Sequence, residues 1–141
     1  MDDVVGSVLS SNLLPVSGEA SASRIFLTGD LVFVSGQTDR AGPAQGRNVS
    51  AQTLHVLDGI EMLLREAGGL LVDVVKATVW LTDPSDYPAF DAAYRTRFAE
   101  PFPARTIVAA DLIEPGALVQ IEVVARRHRQ RHPYARPGLS D

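Results

Sequence analysis

The run Asp73-Val74-Val75-Lys76-Ala77-Thr78-Val79-Trp80-Leu81-Thr82 decides the fold class. It is rich in β-branched residues and alternates with period two. Val75, Ala77, Val79 and Leu81 fall on one face, and Val74, Lys76, Thr78 and Trp80 on the other. Such a strand needs partners, and the flanking sequence supplies them on both sides. Upstream, Arg24 to Thr28 and Leu31 to Ser35 read as two short strands joined at the turn dipeptide Gly29-Asp30, with Gly36 ending the second. Asp39 to Asn48, holding Gly42, Pro43 and Gly46, reads as loop. Ser50 is placed as the N-cap of a helix in which Leu54, Leu57, Ile60, Leu64 and Ala67 recur at helical spacing until Gly68-Gly69. Downstream, a second helix is expected from about Ser85 to Phe98, striped by Tyr87, Phe90, Tyr94 and Phe98. Strands at about Arg105 to Ala110 and Leu118 to Arg127 follow.

The order is therefore ββαβαββ, an α+β class. Two helices cannot cover both faces of such a sheet, so they are expected on one face. With Trp80, Val119, Ile121 and Val123 on strands apolar on both sides, the other face is expected to be apolar and buried in a homo-oligomer. Nothing divides the chain of 141 residues, so one domain is expected over 1–141, with its core at about 24–127 and a basic tail at 128–141.

Composition narrows the chemistry. With Cys 0, disulfides, thiolate catalysis and Cys-ligated metal are excluded. No apolar run has membrane-helix length and the start carries Asp2 and Asp3, so the chain reads as soluble and cytoplasmic, with no membrane partner. The net charge of -4 is uneven. Five of 13 basic and one of 17 acidic residues lie in 126–141, leaving a body with 8 bases against 16 acids. Arg126, Arg127, Arg129, Arg131 and Arg136, among His128, His132 and Tyr134, could mark nucleic-acid contact. Pro133 and Pro137 favour a solvated tail instead, and nucleic acid is not the expected partner. Phosphate-loop, dinucleotide, zinc-protease and nucleophile-elbow patterns are all missing, and no metal or cofactor is expected. His55, inside the first helix, reads as a structural or surface residue.

Two polar residues stand where polarity is costly. Arg105 follows Pro103-Ala104 and opens a strand, so its guanidinium should project from a rigid sheet edge. Its planar fork matches a carboxylate, either of a ligand or of an acidic side chain of the protein itself. Glu122 sits within Leu118-Val119-Gln120-Ile121-Glu122-Val123-Val124-Ala125. A carboxylate in such a strand faces solvent, pairs with a cation or serves a site as acid or base.

Several segments occur in the order and spacing of the Rid family, also called YjgF or L-PSP. They are Phe33-Val34-Ser35-Gly36-Gln37-Thr38, Glu66-Ala67-Gly68, Asp73 to Leu81, Asp86-Tyr87 with Phe90 and Tyr94, Pro103-Ala104-Arg105-Thr106 and Ile121-Glu122-Val123. The chain resembles that family over about residues 24 to 127. The resemblance implies a chorismate-mutase-like α+β fold with a mixed sheet, assembled as a homotrimer with sites between subunits. It implies a cofactor-free hydrolysis of reactive 2-enamino or 2-imino acids to 2-keto acids and ammonia. Arg105 would hold the substrate carboxylate and Glu122 would position or activate water. Gly36 and the backbone at Ile107 would line the pocket and contact the substrate nitrogen, with Asp91 also at the substrate.

Three positions depart from the best-known deaminase pattern: Ala22 in place of a tyrosine, Asp91 in place of an asparagine and Ile107 in place of a cysteine. These leave other readings open. One is a deaminase of a larger catabolic enamine such as 2-aminomuconate. Others are an L-PSP endoribonuclease or translation inhibitor, and a non-enzymatic module that binds a small carboxylate.

Overall fold

The computed structural model describes residues 21–128. The start of the chain, and Arg129, Arg131, His132, Tyr134 and Arg136 of the basic tail, lie outside the described residues. Elements run β1 (Ile25–Thr28), β2 (Leu31–Gln37), α1 (Val49–Glu66), β3 (Val74–Leu81), α2 (Tyr87–Arg95), β4 (Ala104–Ala109) and β5 (Val119–Arg126). This is the expected ββαβαββ order.

The sheet order is β1-β2-β5-β3-β4. Only β3 and β4 run parallel, because α2 carries the chain from one to the other; the remaining pairs are antiparallel. The first hairpin turns at Gly29, whose φ of 55 is readily adopted by a residue without a Cβ. Contrary to expectation, β2 does not stop before Gly36 but runs on to Gln37. Val34 pairs with Val123 and Gln37 with Ile121, so Ser35 and Gly36 together oppose Glu122 in a bulge. The glycine marks that irregularity rather than a strand end.

Asn48, not Ser50, caps α1: its side chain accepts the Ala51 N–H at 2.9 Å. Ser50 lies one residue inside the helix and its hydroxyl donates to Ala89 O. At the other end the Gly68 φ of 85 turns the chain away, with Gly69 N–H donating to Leu64 O at 2.8 Å. The second helix is shorter than its aromatic stripe suggested. Asp83 accepts the Ser85 N–H and starts a 3₁₀ turn over Pro84–Asp86; only Tyr87–Arg95 is α-helical. Phe90, Tyr94 and Phe98 are buried in a ladder of rings with centroids 5.5 and 4.4 Å apart, whereas Tyr87 stands exposed.

Both helices cover one face of the sheet. From β5 the residues on that face are Val119, Ile121, Val123 and Ala125, all buried, and Val32, Val34, Ala77 and Val79 join them. Fully burying each large apolar side chain stabilises by about 1.5–3 kcal/mol. The expected composition of the open face is thus corrected. Val119, Ile121 and Val123 belong to the core, opposite Trp80, because Trp80 pairs with Gln120. The alternation within β3 also slips: the register shifts between Val74 and Lys76, so Val74 is buried and Val75 exposed. The open face carries Phe26, Phe33, Val124, Trp80 and Val108, with Lys76, Thr78, Thr106, Gln120 and Glu122 among them. It is amphipathic rather than uniformly apolar.

Candidate active site

Arg105 is the second residue of β4, an edge strand bonded among the described residues only to β3. Its register partner is the buried Ala77, so its side chain leaves the sheet on the helix side. There α2 meets it. Arg105 Nη1 donates to Asp91 Oδ1 at 2.9 Å and Nη2 donates to Tyr87 Oη at 3.1 Å. The guanidinium carbon lies 4.7 Å from the Tyr94 ring centroid, with Phe90 and Tyr87 at 5.6 and 5.8 Å. Charge, hydrogen bonding and ring faces therefore fix one rotamer. The ion pair with an acidic residue of the same chain, one of the two readings the sequence left open, is present.

Asp91 also accepts from Arg95 Nε at 3.1 Å, so a single carboxylate bridges two arginines. Burial acts most strongly on Asp91 and favours the neutral form. The hydrogen bonds and charges of Arg105 and Arg95 together outweigh it and hold the carboxyl below its ordinary value. Beneath the guanidinium, burial pushes the Tyr94 hydroxyl up to about 12, against the opposing pull of Arg105. Tyr94 Oη is buried with no well-formed hydrogen bond among the described residues. A cleft of about 260 Å³ opens here, lined by Asp91, Tyr94, Arg95, Phe102, Pro103 and Arg105.

Glu122 takes the opposite side of the sheet. It pairs with Thr78 on β3 and faces the Ser35-Gly36 bulge on β2. It has no hydrogen bond or ion pair among the described residues and is half-buried. Gly36 is exposed beside it, and a Cβ at that position would come within 2.5 Å of Gln120 Nε2. Ile107, two residues after Arg105 on the same face of β4, rests partly buried against the core.

The five residues singled out from sequence thus fall into two groups. Arg105, Asp91 and Ile107 lie on the helix side of β4, Gly36 and Glu122 on the open face, and the sheet separates them. Sequence reading missed Tyr87, Arg95 and Phe102. The four-residue spacing of Tyr87, Asp91 and Arg95 was an available signal, since such residues share a helix face. Ala22 is exposed near the start of the described residues, and the neighbouring aromatic Phe26 points to the open face. His55 is exposed on α1, and neither it nor His128 lines the Arg105 cleft.

A polar site built on the edge strand of a helix-backed mixed sheet, with a ring-lined arginine at its centre, defines an α+β protein of the YjgF architecture. The chain belongs to the Rid/YjgF/L-PSP family: residues 12–127 match the profile described as endoribonuclease L-PSP. It is 33% identical over 102 residues to a RutC family protein of Saccharolobus solfataricus, covering 70% of this chain and 81% of the relative. It is 44% identical over 78 residues to the 3-aminoacrylate deaminase RutC of Acinetobacter baylyi, covering 55% of this chain and 62% of that protein. Among solved structures, RidA from a Psychrobacter species superposes with a TM-score of 0.74 at 29% identity, covering 85% of this chain and 98% of that one. Among the described residues no helix is long and apolar enough to cross a membrane.

Proposed function

We propose that this protein is a hydrolytic deaminase of small enamino or imino acids, releasing ammonia and an oxo acid. The observation that carries this reading is the state of Arg105. Asp91 and Tyr87 take two of its five N–H donors, leaving three at the rim of a small cleft. A carboxylate needs only two. The similarity to a relative named as a 3-aminoacrylate deaminase points the same way. Among the imino acids, the short-chain 2-iminopropanoate and 2-iminobutanoate are the substrates we favour.

In this reading an enamine first gains a proton on carbon, giving the iminium, whose carbon is already electrophilic. Arg105 holds the carboxylate. Glu122 accepts a proton from water as its oxygen bonds to the iminium carbon. The proton is then returned to nitrogen, the C–N bond breaks and ammonia leaves, and Glu122 takes the hydroxyl proton as the carbonyl forms. Gly36 and the backbone at Ile107 line the pocket near the nitrogen.

One chain cannot bring Arg105 and Glu122 to one substrate, because they leave opposite faces of the same sheet. The reading therefore needs Glu122 and Gly36 from a second copy packed against β4, in a homotrimer with sites between subunits. The exposed Phe26, Phe33 and Val108 of the open face support such packing. The test is complementation. Imines are generated in situ with an amino-acid oxidase; Arg105→Ala and Glu122→Gln are each expected to be inactive, and a dissociated and reassociated mixture to regain activity. Full activity in either variant, or no recovery on mixing, contradicts the reading. A ribonuclease reading, prompted by the family's description, finds no histidine among the described residues that line the Arg105 cleft to act as acid or base.

A further inference from the structure

The Arg105 cleft has a second cation that the deaminase reading does not use. Arg95 lines the same cleft, its Nε bound to Asp91 at 3.1 Å and its guanidinium 5.7 Å from the Phe102 ring centroid. Those two contacts hold the stem of a side chain that is otherwise 66% exposed, and they leave both terminal nitrogens unengaged among the described residues. Asp91 offers one oxygen to each arginine, so the two guanidiniums sit side by side across one carboxylate. The cluster Arg95, Asp91 and Arg105 carries a net single positive charge; a bound monocarboxylate cancels it while leaving the Arg95 fork without a partner. At about 260 Å³ the cleft lies below the roughly 300–1,000 Å³ of drug-sized ligand pockets, which limits its occupant to a short-chain acid.

We propose that Arg95 forms a second anion subsite, so that among acids of equal chain length the cleft prefers the one whose distal carboxylate can reach Arg95. The inference rests on the deaminase reading for the role of Arg105 but makes its own claim about Arg95. Arg105 and Arg95 then divide recognition between them: the half-buried arginine fixes the carboxylate next to the reacting carbon, and the exposed one selects for the far acidic group. Phe102 and Pro103 form an apolar wall of the same cleft.

The test compares chain-length-matched pairs by calorimetry, 2-oxoglutarate against 2-oxopentanoate, and by turnover of the corresponding imines. The wild-type protein is expected to prefer the dicarboxylate about fivefold or more, the scale of one well-placed exposed ion pair. Arg95→Gln should abolish that preference, costing 2-oxoglutarate about fivefold more affinity than it costs 2-oxopentanoate, and Arg95→Lys should retain part of it. A wild-type protein that does not discriminate, or an Arg95→Gln variant that weakens both ligands equally, overturns the proposal. Arg105→Gln separates the two claims. If neither oxo acid loses affinity in that variant and no imine is turned over by the wild type, the deaminase reading fails. The 2-oxoglutarate preference and its dependence on Arg95 are still decided by calorimetry.

Discussion

Replacing Asp91 with asparagine isolates the electrostatic cost of a carboxylate already seated at the clamp. The amide oxygen of the substituted side chain would still accept from Arg105 Nη1, and Tyr87 and the Tyr94 ring would still hold the guanidinium, so orientation survives. What disappears is one negative charge. A ligand carboxylate on the free edge of Arg105 lies about 6 Å from that charge, and at an effective dielectric of about 40 the repulsion is about 1.4 kcal/mol. Asp91 and Arg105 side chains are 18% and 21% exposed and the ligand would sit at the solvent-open rim of the cleft, so a value between about 80 for bulk water and about 20 for a surface pair applies. Asp91→Asn should therefore bind pyruvate or 2-oxobutanoate about tenfold more tightly, a factor that follows from about 1.4 kcal/mol. Calorimetry at low and high salt reads it, the gain shrinking as salt screens the repulsion. Unchanged or weaker binding by Asp91→Asn at low salt would refute the reasoning and show that Asp91 acts through geometry alone.

Tyr94→Phe removes a buried hydroxyl with no well-formed hydrogen bond among the described residues, so stability measured by urea should be unchanged or higher by up to about 1 kcal/mol; a loss would reveal an acceptor or donor for that oxygen. Asp39 is held below its ordinary 3.8, first by the hydrogen bond from Arg47, so its stabilising contribution is present above 3.8 and is lost as pH falls through the lower folded-state value. The Tm gap between wild type and Asp39→Asn should accordingly be open at about pH 6 and narrow as pH falls below 3.8. Leu57→Ala, at a fully buried position of α1, should cost about 2–5 kcal/mol in denaturant unfolding. Phe33→Glu on the open face should shift the sedimentation profile toward monomer and lower imine turnover with it; an unchanged profile would leave that face out of assembly.

Element order is legible because helical spacing in α1, β-branched runs in the strands, and glycine or proline between elements mark where each one lies. The failures are local. Gly36 reads as a stop, yet its bulge lets β2 continue, a pairing fact that only the partner strand Val119–Arg126 reveals. Val119, Ile121 and Val123 read as open-face residues because both sides of β5 look apolar from one strand; register with Ala77 and Val79 resolves it. Arg105 can be found from its proline-bounded strand start, but its partner Asp91 lies 14 residues away across the crossover, beyond any local pattern. Glu122 is visible as a charge in an apolar run, whereas its placement behind the sheet from Arg105 depends on counting strand alternation through two separate strands.

The position of β4 at the rim has one more consequence. An edge strand leaves alternate backbone N–H and C=O groups without partners, a template onto which any extended chain can zip. In this molecule that template, with Val108 exposed on it, is the same backbone that carries Arg105 and Ile107. In the proposed assembly, removing the second copy from β4 would expose an adhesive margin. Variants that weaken assembly should appear in the test tube as turbidity and amyloid-dye fluorescence before they appear as stable, inactive monomers. In the proposed deaminase, solubility and catalysis would depend on a single strip of six residues.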